Sequence, residues 1–217
     1  MKYKAVIFDL DGTLINSLGV WEKIDAEFLA KRGIPVPSDY ANAICALSFR
    51  ETALYTIDRF SLTDTADELM HEWDEMAIYE YSHHVELKPY AKEYLELLKK
   101  ENIKTGIATS CSPLLYKPVL SNNGILGFFD VICATDEVAR NKEHPDIYLY
   151  TAKKLGVDPA DCLVFEDIPQ AIKSAKQAGM TVYGIYDSAL KDSWEYIRLI
   201  ADGALYDFAN APIYHSR

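Results

Sequence analysis

The chain has 217 residues, 49% apolar and 25% charged, with a formal net charge of -11. That is enough apolar material for a core plus a smaller accessory domain, and the acidic balance argues against a nucleic-acid or anionic-membrane partner, since both want basic patches. No apolar run approaches the roughly 20 residues that cross a bilayer, and the N-terminal apolar stretch runs into polar residues without a signal-peptide pattern.

The chain opens on a buried strand, Tyr3 to Asp9, in which Ala5, Val6, Ile7 and Phe8 are apolar in succession. A continuous run of this length suits a strand covered on both faces, as in a parallel sheet. From about Ile15 to Val85 no strand is predicted. Val20, Trp21, Ile24, Phe28 and Leu29 mark one amphipathic helix ending near Gly33, and a shorter helix covers Glu51 to Phe60. A third carries Leu69, Trp73 and Met76 after a capping-box pattern from Thr65 to Glu68. This stretch reads as an all-helical insertion, a small domain over the edge of the sheet that carries the chemistry.

Beyond it, short apolar runs recur at Ile103–Ala108, Val131–Ala134, Cys162–Phe165, Thr181–Tyr186 and Ala204–Tyr206. Helices opening at Pro89, Pro145 and Pro169 lie between them, the last two stopped by Gly156 and Gly179. Pro118 falls inside a further helix and predicts a kink or an early stop. Strands alternating with helices imply an α/β fold, a Rossmann-like parallel sheet core with an inserted all-helical cap. The core takes residues 1–14 and 86–217, and the cap 15–85. Right-handed crossovers gather the strand C-termini on one edge, where ligands bind in such sheets. The four cysteines, Cys45, Cys111, Cys133 and Cys162, are scattered beyond metal-knuckle spacing, as expected of reduced, buried thiols in a cytoplasmic chain.

Four segments carry chemistry. Asp9-Leu10-Asp11-Gly12-Thr13 ends the first strand, and two carboxylates two residues apart on extended backbone point to one side. Their repulsion is costly unless a cation or proton separates them, although a solvated turn with a capping Asp is the plainer reading. Glu166-Asp167 stands at the equivalent end of another strand. With Asp9 it offers the oxygen ligands that magnesium prefers, although acids before Pro169 also suit a helix N-terminus. Lys142 precedes a helix and can neutralise a phosphate or a carboxylate, where a solvated surface lysine is the ordinary alternative. Thr109 and Ser110 follow the strand ending at Ala108, where a hydroxyl and free N–H groups can hold phosphate oxygens or merely cap the loop.

In order and spacing, these four segments resemble the signature motifs of the haloacid dehalogenase superfamily of aspartate-nucleophile phosphotransferases, across nearly the whole chain. Asp9-Leu10-Asp11-Gly12-Thr13 matches its Asp-x-Asp-x-Thr motif. Ile107-Ala108-Thr109-Ser110 is similar to the second motif, Lys142 with Pro145 and Asp146 to the third, and Val164-Phe165-Glu166-Asp167 to the fourth. The helical insertion resembles the cap of the branch containing β-phosphoglucomutase and phosphoglycolate-type phosphatases.

The resemblance implies a Mg²⁺-dependent phosphatase for a small phosphorylated metabolite, a sugar phosphate by preference, with a sugar phosphomutase as the alternative. It implies Asp9 as nucleophile and Asp11 as acid–base. Asp9, the Asp11 carbonyl and Asp167 would hold the metal, with Glu166 acting directly or through a water. Thr109, Ser110 and Lys142 would face the phosphoryl group, and Arg50 of the cap would fork onto a substrate anion. No membrane or nucleic-acid partner is implied, and the expected state is a monomer. The sequence departs from the family where the mutase-like members carry an Asp and a His: Asn16-Ser17 and Trp21 stand near those positions. The family's Gly after the fourth motif is Ala171, and the Gly usual after Pro89 is Tyr90.

Overall fold

The computed structural model describes residues 3–44, 47 and 49–212. Cys45, one of the four cysteines, lies outside the described residues. The chain forms two compact units, Met1–Leu18 with Val85–Arg217, and Gly19–His84.

The first unit is built on a six-stranded sheet in the order β3-β2-β1-β4-β5-β6. The strands are β1 (Ala5–Phe8), β2 (Lys104–Thr109), β3 (Val131–Ala134), β4 (Cys162–Glu166), β5 (Thr181–Ile185) and β6 (Gly203–Leu205), and every pairing is parallel. Strand β1 lies between β2 and β4, with Phe8 level with Ile107 on one side and Phe165 on the other. All four β1 residues are buried, as a strand covered on both faces must be. Strand order reverses beside β1, so the ends of β1, β2 and β4 open on the switch point where α/β sheets bind ligands.

The covering helices are α5 (Ala91–Lys100), α6 (Pro113–Asn122), α7 (Asp146–Leu155), α8 (Pro169–Gln177) and α9 (Trp194–Ile200), after the four helices of the second unit. Helix α7 ends on Gly156 in the left-handed region, the stop expected from the sequence. One wall of the core is aromatic: Phe8 stacks on Phe165 at 5.4 Å between centroids, with Tyr94 and Phe208 against both.

Two expectations are adjusted. Helix α6 does not stop early but continues through Pro118 to Asn122; the proline removes one N–H, and Val119 and Leu120 of the later turn are both buried. Helix α5 starts at Ala91, not Pro89, because Tyr90 sits in the left-handed region (φ 62°) and its ring is largely exposed instead of joining the face of Tyr94, Leu95 and Leu98.

The second unit contains α1 (Val20–Lys31), α2 (Tyr40–Ile44), α3 (Phe49–Phe60) and α4 (Ala66–His83). The capping box at Thr65 and Glu68 forms reciprocally, and Gly33 adopts the positive φ that ends α1. Phe28, Phe49 and Trp73 pack as a core, with Trp21 on the edge of Phe49. Arg32 ties α1 to Glu72 at 2.8 Å and Asp64 at 3.0 Å. The short helix α2 was not legible in the sequence: its five residues carry no period.

Candidate active site

The signature residues of the first unit converge at the C-terminal ends of β1, β2 and β4. Asp9 follows β1 directly, and its N–H donates to the Phe165 carbonyl at 3.0 Å, so the sheet register holds its backbone beside β4. Glu166 ends β4 and Asp167 follows it; both are fully buried. The carboxylates of Asp9, Glu166 and Asp167 each offer an oxygen within 4.8 Å of the others.

Lys142 reaches this group from the loop before α7. Its ammonium donates to Asp9 Oδ1 and, at 2.6 Å, to Glu166 Oε1. The loop is closed by Arg140, whose guanidinium forks onto Asp146 at 3.0 and 2.7 Å. Burial disfavours the Lys142 charge, but the carboxylates of Asp9 and Glu166 outweigh it and hold its pKa above the ordinary value. Thr13 Oγ1 donates to Asp167 Oδ1 at 3.1 Å. Asp11 is half-buried and accepts from Ser17 Oγ at 2.7 Å. Thr109 is buried at the end of β2, where its hydroxyl accepts from the Cys111 N–H at 2.9 Å, and Ser110 beyond it is exposed. Arg50 is in the other unit, on α3, exposed and paired with Asp67 at 2.6 Å.

The site concentrates negative charge. Burial, then the neighbouring Glu166, pushes the Asp9 carboxyl up to about 7, although Lys142 opposes them. Burial and the charges of Asp9 and Glu166 also raise Asp167 well above the usual carboxylate range. Asp167 Oδ2 is buried and, among the described residues, has no hydrogen-bond partner. An orphaned buried carboxylate oxygen is expensive, and a cation would satisfy it. A hard divalent ion with oxygen ligands fits this donor set. Gly12 makes the room: at φ +80° it is the residue type that backbone tolerates, and a Cβ there would collide with Asp167 Oδ2.

Sequence reasoning passed over Tyr148 and Arg140. Tyr148 is on the buried face of α7, and its hydroxyl donates to Glu166 at 2.6 Å. Arg140 carries a signal that sequence could have offered, an Arg and an Asp flanking Lys142. The Cys111 thiol is held un-ionised by burial and by Asp11.

The profile of the haloacid dehalogenase-like hydrolase family matches residues 6–185. A validoxylamine A 7'-phosphate phosphatase of Streptomyces hygroscopicus subsp. limoneus is 30% identical over 84% of this chain and 85% of its own length. A beta-phosphoglucomutase of Bacillus subtilis (strain 168) is 33% identical over 84% and 83%. A bifunctional riboflavin kinase/FMN phosphatase of Arabidopsis thaliana is 32% identical over 83% of this chain, which spans 48% of that longer protein. Among solved structures, a HAD hydrolase, family IA, variant 3, from Entamoeba histolytica HM-1:IMSS superposes with a TM-score of 0.78 at 27% identity, covering 98% of this chain and 96% of the other.

Proposed function

Since the chain belongs to the haloacid dehalogenase-like hydrolase family, we propose that it is a Mg²⁺-dependent phosphatase that hydrolyses a small phosphorylated metabolite, a sugar phosphate by preference, through an aspartyl phosphate on Asp9. The observation that carries this reading is the buried group of Asp9, Glu166 and Asp167 facing Lys142 at the strand ends, with Asp11 two residues beyond Asp9.

In this reading an Asp9 carboxylate oxygen attacks phosphorus, a P–O bond to Asp9 forms, and the P–O bond to the leaving alcohol breaks. Asp11 gives its proton to the departing alkoxide. It then takes one from the water that attacks the aspartyl phosphate, releasing inorganic phosphate and free Asp9. Lys142, the Thr109 hydroxyl and the N–H groups around Ser110 meet the charge on the transferring group; such positioning is most of what phosphoryl transfer requires. Asp9, the Asp11 carbonyl and Asp167 would hold Mg²⁺, with Glu166 acting directly or through a water, and the ion supplies positive charge to the phosphoryl oxygens. The unit Gly19–His84 would carry substrate selection, with Arg50 released from Asp67 to bind a substrate anion.

A second reading, a sugar phosphomutase, draws on the similarity to the beta-phosphoglucomutase. It differs in which nucleophile accepts the phosphoryl group from Asp9, a sugar hydroxyl instead of water. Purified protein with Mg²⁺ and a panel of sugar phosphates separates the two: inorganic phosphate release supports the phosphatase, and isomerisation of glucose 1-phosphate with negligible phosphate release overturns it.

A further inference from the structure

Glu166 is held on both oxygens. Its Oε1 accepts from Lys142 Nζ and from the Tyr148 hydroxyl, each at 2.6 Å, and its Oε2 accepts from the Asp167 N–H at 3.2 Å. Both Glu166 and Tyr148 have no exposed surface, so bulk water does not reach the oxygen that a lost donor would leave unpaired. The lysine over the ring, 5.8 Å from its centroid, is the same Lys142 that faces Asp9.

A buried tyrosine ordinarily finds some partner for its hydroxyl, and an arbitrary choice of acceptor would make Tyr148 a core residue and no more. The acceptor here is not arbitrary: it is the oxygen that aims Lys142. Two charge-assisted donors converge on one oxygen at short range. The Tyr148 bond fixes the Glu166 carboxylate plane, and that plane sets where Lys142 stands relative to Asp9.

We propose that Tyr148 is a positioning residue for phosphoryl transfer: by hydrogen-bonding Glu166 Oε1 it locks the carboxylate that holds Lys142 against Asp9. The kinetic consequence rests on the phosphatase reading; the structural consequence rests on the geometry alone.

Tyr148→Phe removes one oxygen and keeps the ring, so the helix face stays filled. With p-nitrophenyl phosphate and saturating Mg²⁺, the variant should lose kcat by about 10- to 100-fold, the order typical when a partner that orients a site residue is lost, while KM stays within about twofold. Glu166→Gln should lower kcat as well, and the double variant should be no slower than the slower single one, because the two residues act as a unit. A purely structural tyrosine gives additive losses or a KM change that tracks the loss of folded protein. In the crystal structure of Tyr148→Phe, Lys142 Nζ should have left hydrogen-bond distance of Asp9 or Glu166. An unchanged kcat, additive losses, or Lys142 still bonded to both carboxylates in that crystal structure each overturn the proposal. A wild-type protein that releases no phosphate from any phosphomonoester sinks the phosphatase reading instead, and the crystal structure then decides the positioning role.

Discussion

Thr13 donates its hydroxyl hydrogen to Asp167 Oδ1 across 3.1 Å, joining the loop after β1 to the end of β4, while the second oxygen of that carboxylate stays buried without a partner. One oxygen of Asp167 is therefore satisfied by Thr13, and the other has no partner among the described residues. With Asp9 raised to about 7, the proposed function makes the pair a site where protons and a divalent ion would compete.

That competition fixes a pH dependence. Between the ordinary carboxylate value of 3.8 and about 7, folded Asp9 retains a proton that the unfolded chain has released. The stability this contributes is therefore full below about 4 and lost as pH rises to about 7. Mg²⁺ needs the deprotonated carboxylates, so its stabilisation should grow across the same window. At a concentration a hundredfold above Kd it contributes about 2.7 kcal/mol, or roughly 5–10 °C in a domain of this size. Thermal melts with and without Mg²⁺ at pH 5.5 and pH 8 test this: the shift should be larger at pH 8, and an equal or larger shift at pH 5.5 would refute it.

Asp9→Asn should abolish turnover. The amide is no nucleophile toward phosphorus, so the first displacement is lost and kcat should fall by at least about 10³-fold, as for other covalent nucleophiles. The fold should survive, because the substitution also removes one of several buried like charges. Phosphate release from p-nitrophenyl phosphate together with a thermal melt checks both halves. Retained activity in a well-folded variant would end the aspartyl-phosphate assignment.

Lys142→Met should damage both activity and stability. The ammonium faces Asp9 and Glu166 inside the protein, and removing one partner of a buried ion pair costs about 3–5 kcal/mol because the remaining charges are uncompensated. Without Lys142 the carboxylates bind protons more tightly, so the variant should be less destabilised at pH 5.5 than at pH 8. Urea unfolding at the two pH values measures this. Equal losses at both would mean that Lys142 acts through packing instead of charge.

Much of this site is written in the chain because each part sits at the end of an apolar run. The run Ala5–Phe8 announces a strand, the acids directly after it announce an edge, and a second run ending before Glu166 repeats the pattern. The relation between the parts is not written there. That Lys142 lies on Asp9, 133 residues earlier, depends on a loop clamped by Arg140 and Asp146, and no local period reports such a clamp. Tyr148 was hidden for the opposite reason: its position on the apolar face of α7 accounts for the ring and says nothing about the hydroxyl. Helix α2 is too short to show a period at all.

Tyr90 offers a stability prediction that the sequence hinted at, since the family usually has Gly after that proline. Its φ of 62° is left-handed, which costs an L-residue roughly 1–2 kcal/mol and costs Gly nothing sterically. Gly gives back part of that difference through the greater freedom of the unfolded chain. The ring is 54% exposed, so little packing is lost with it. Tyr90→Gly should therefore stabilise the protein by about 0.5–1 kcal/mol, a rise of roughly 1–4 °C in Tm. The gain should leave kcat unchanged, because Tyr90 caps α5 and touches none of the carboxylates. A melt in which Tyr90→Gly is less stable than wild type would mean that the partly buried ring contributes more by packing than the strained backbone costs.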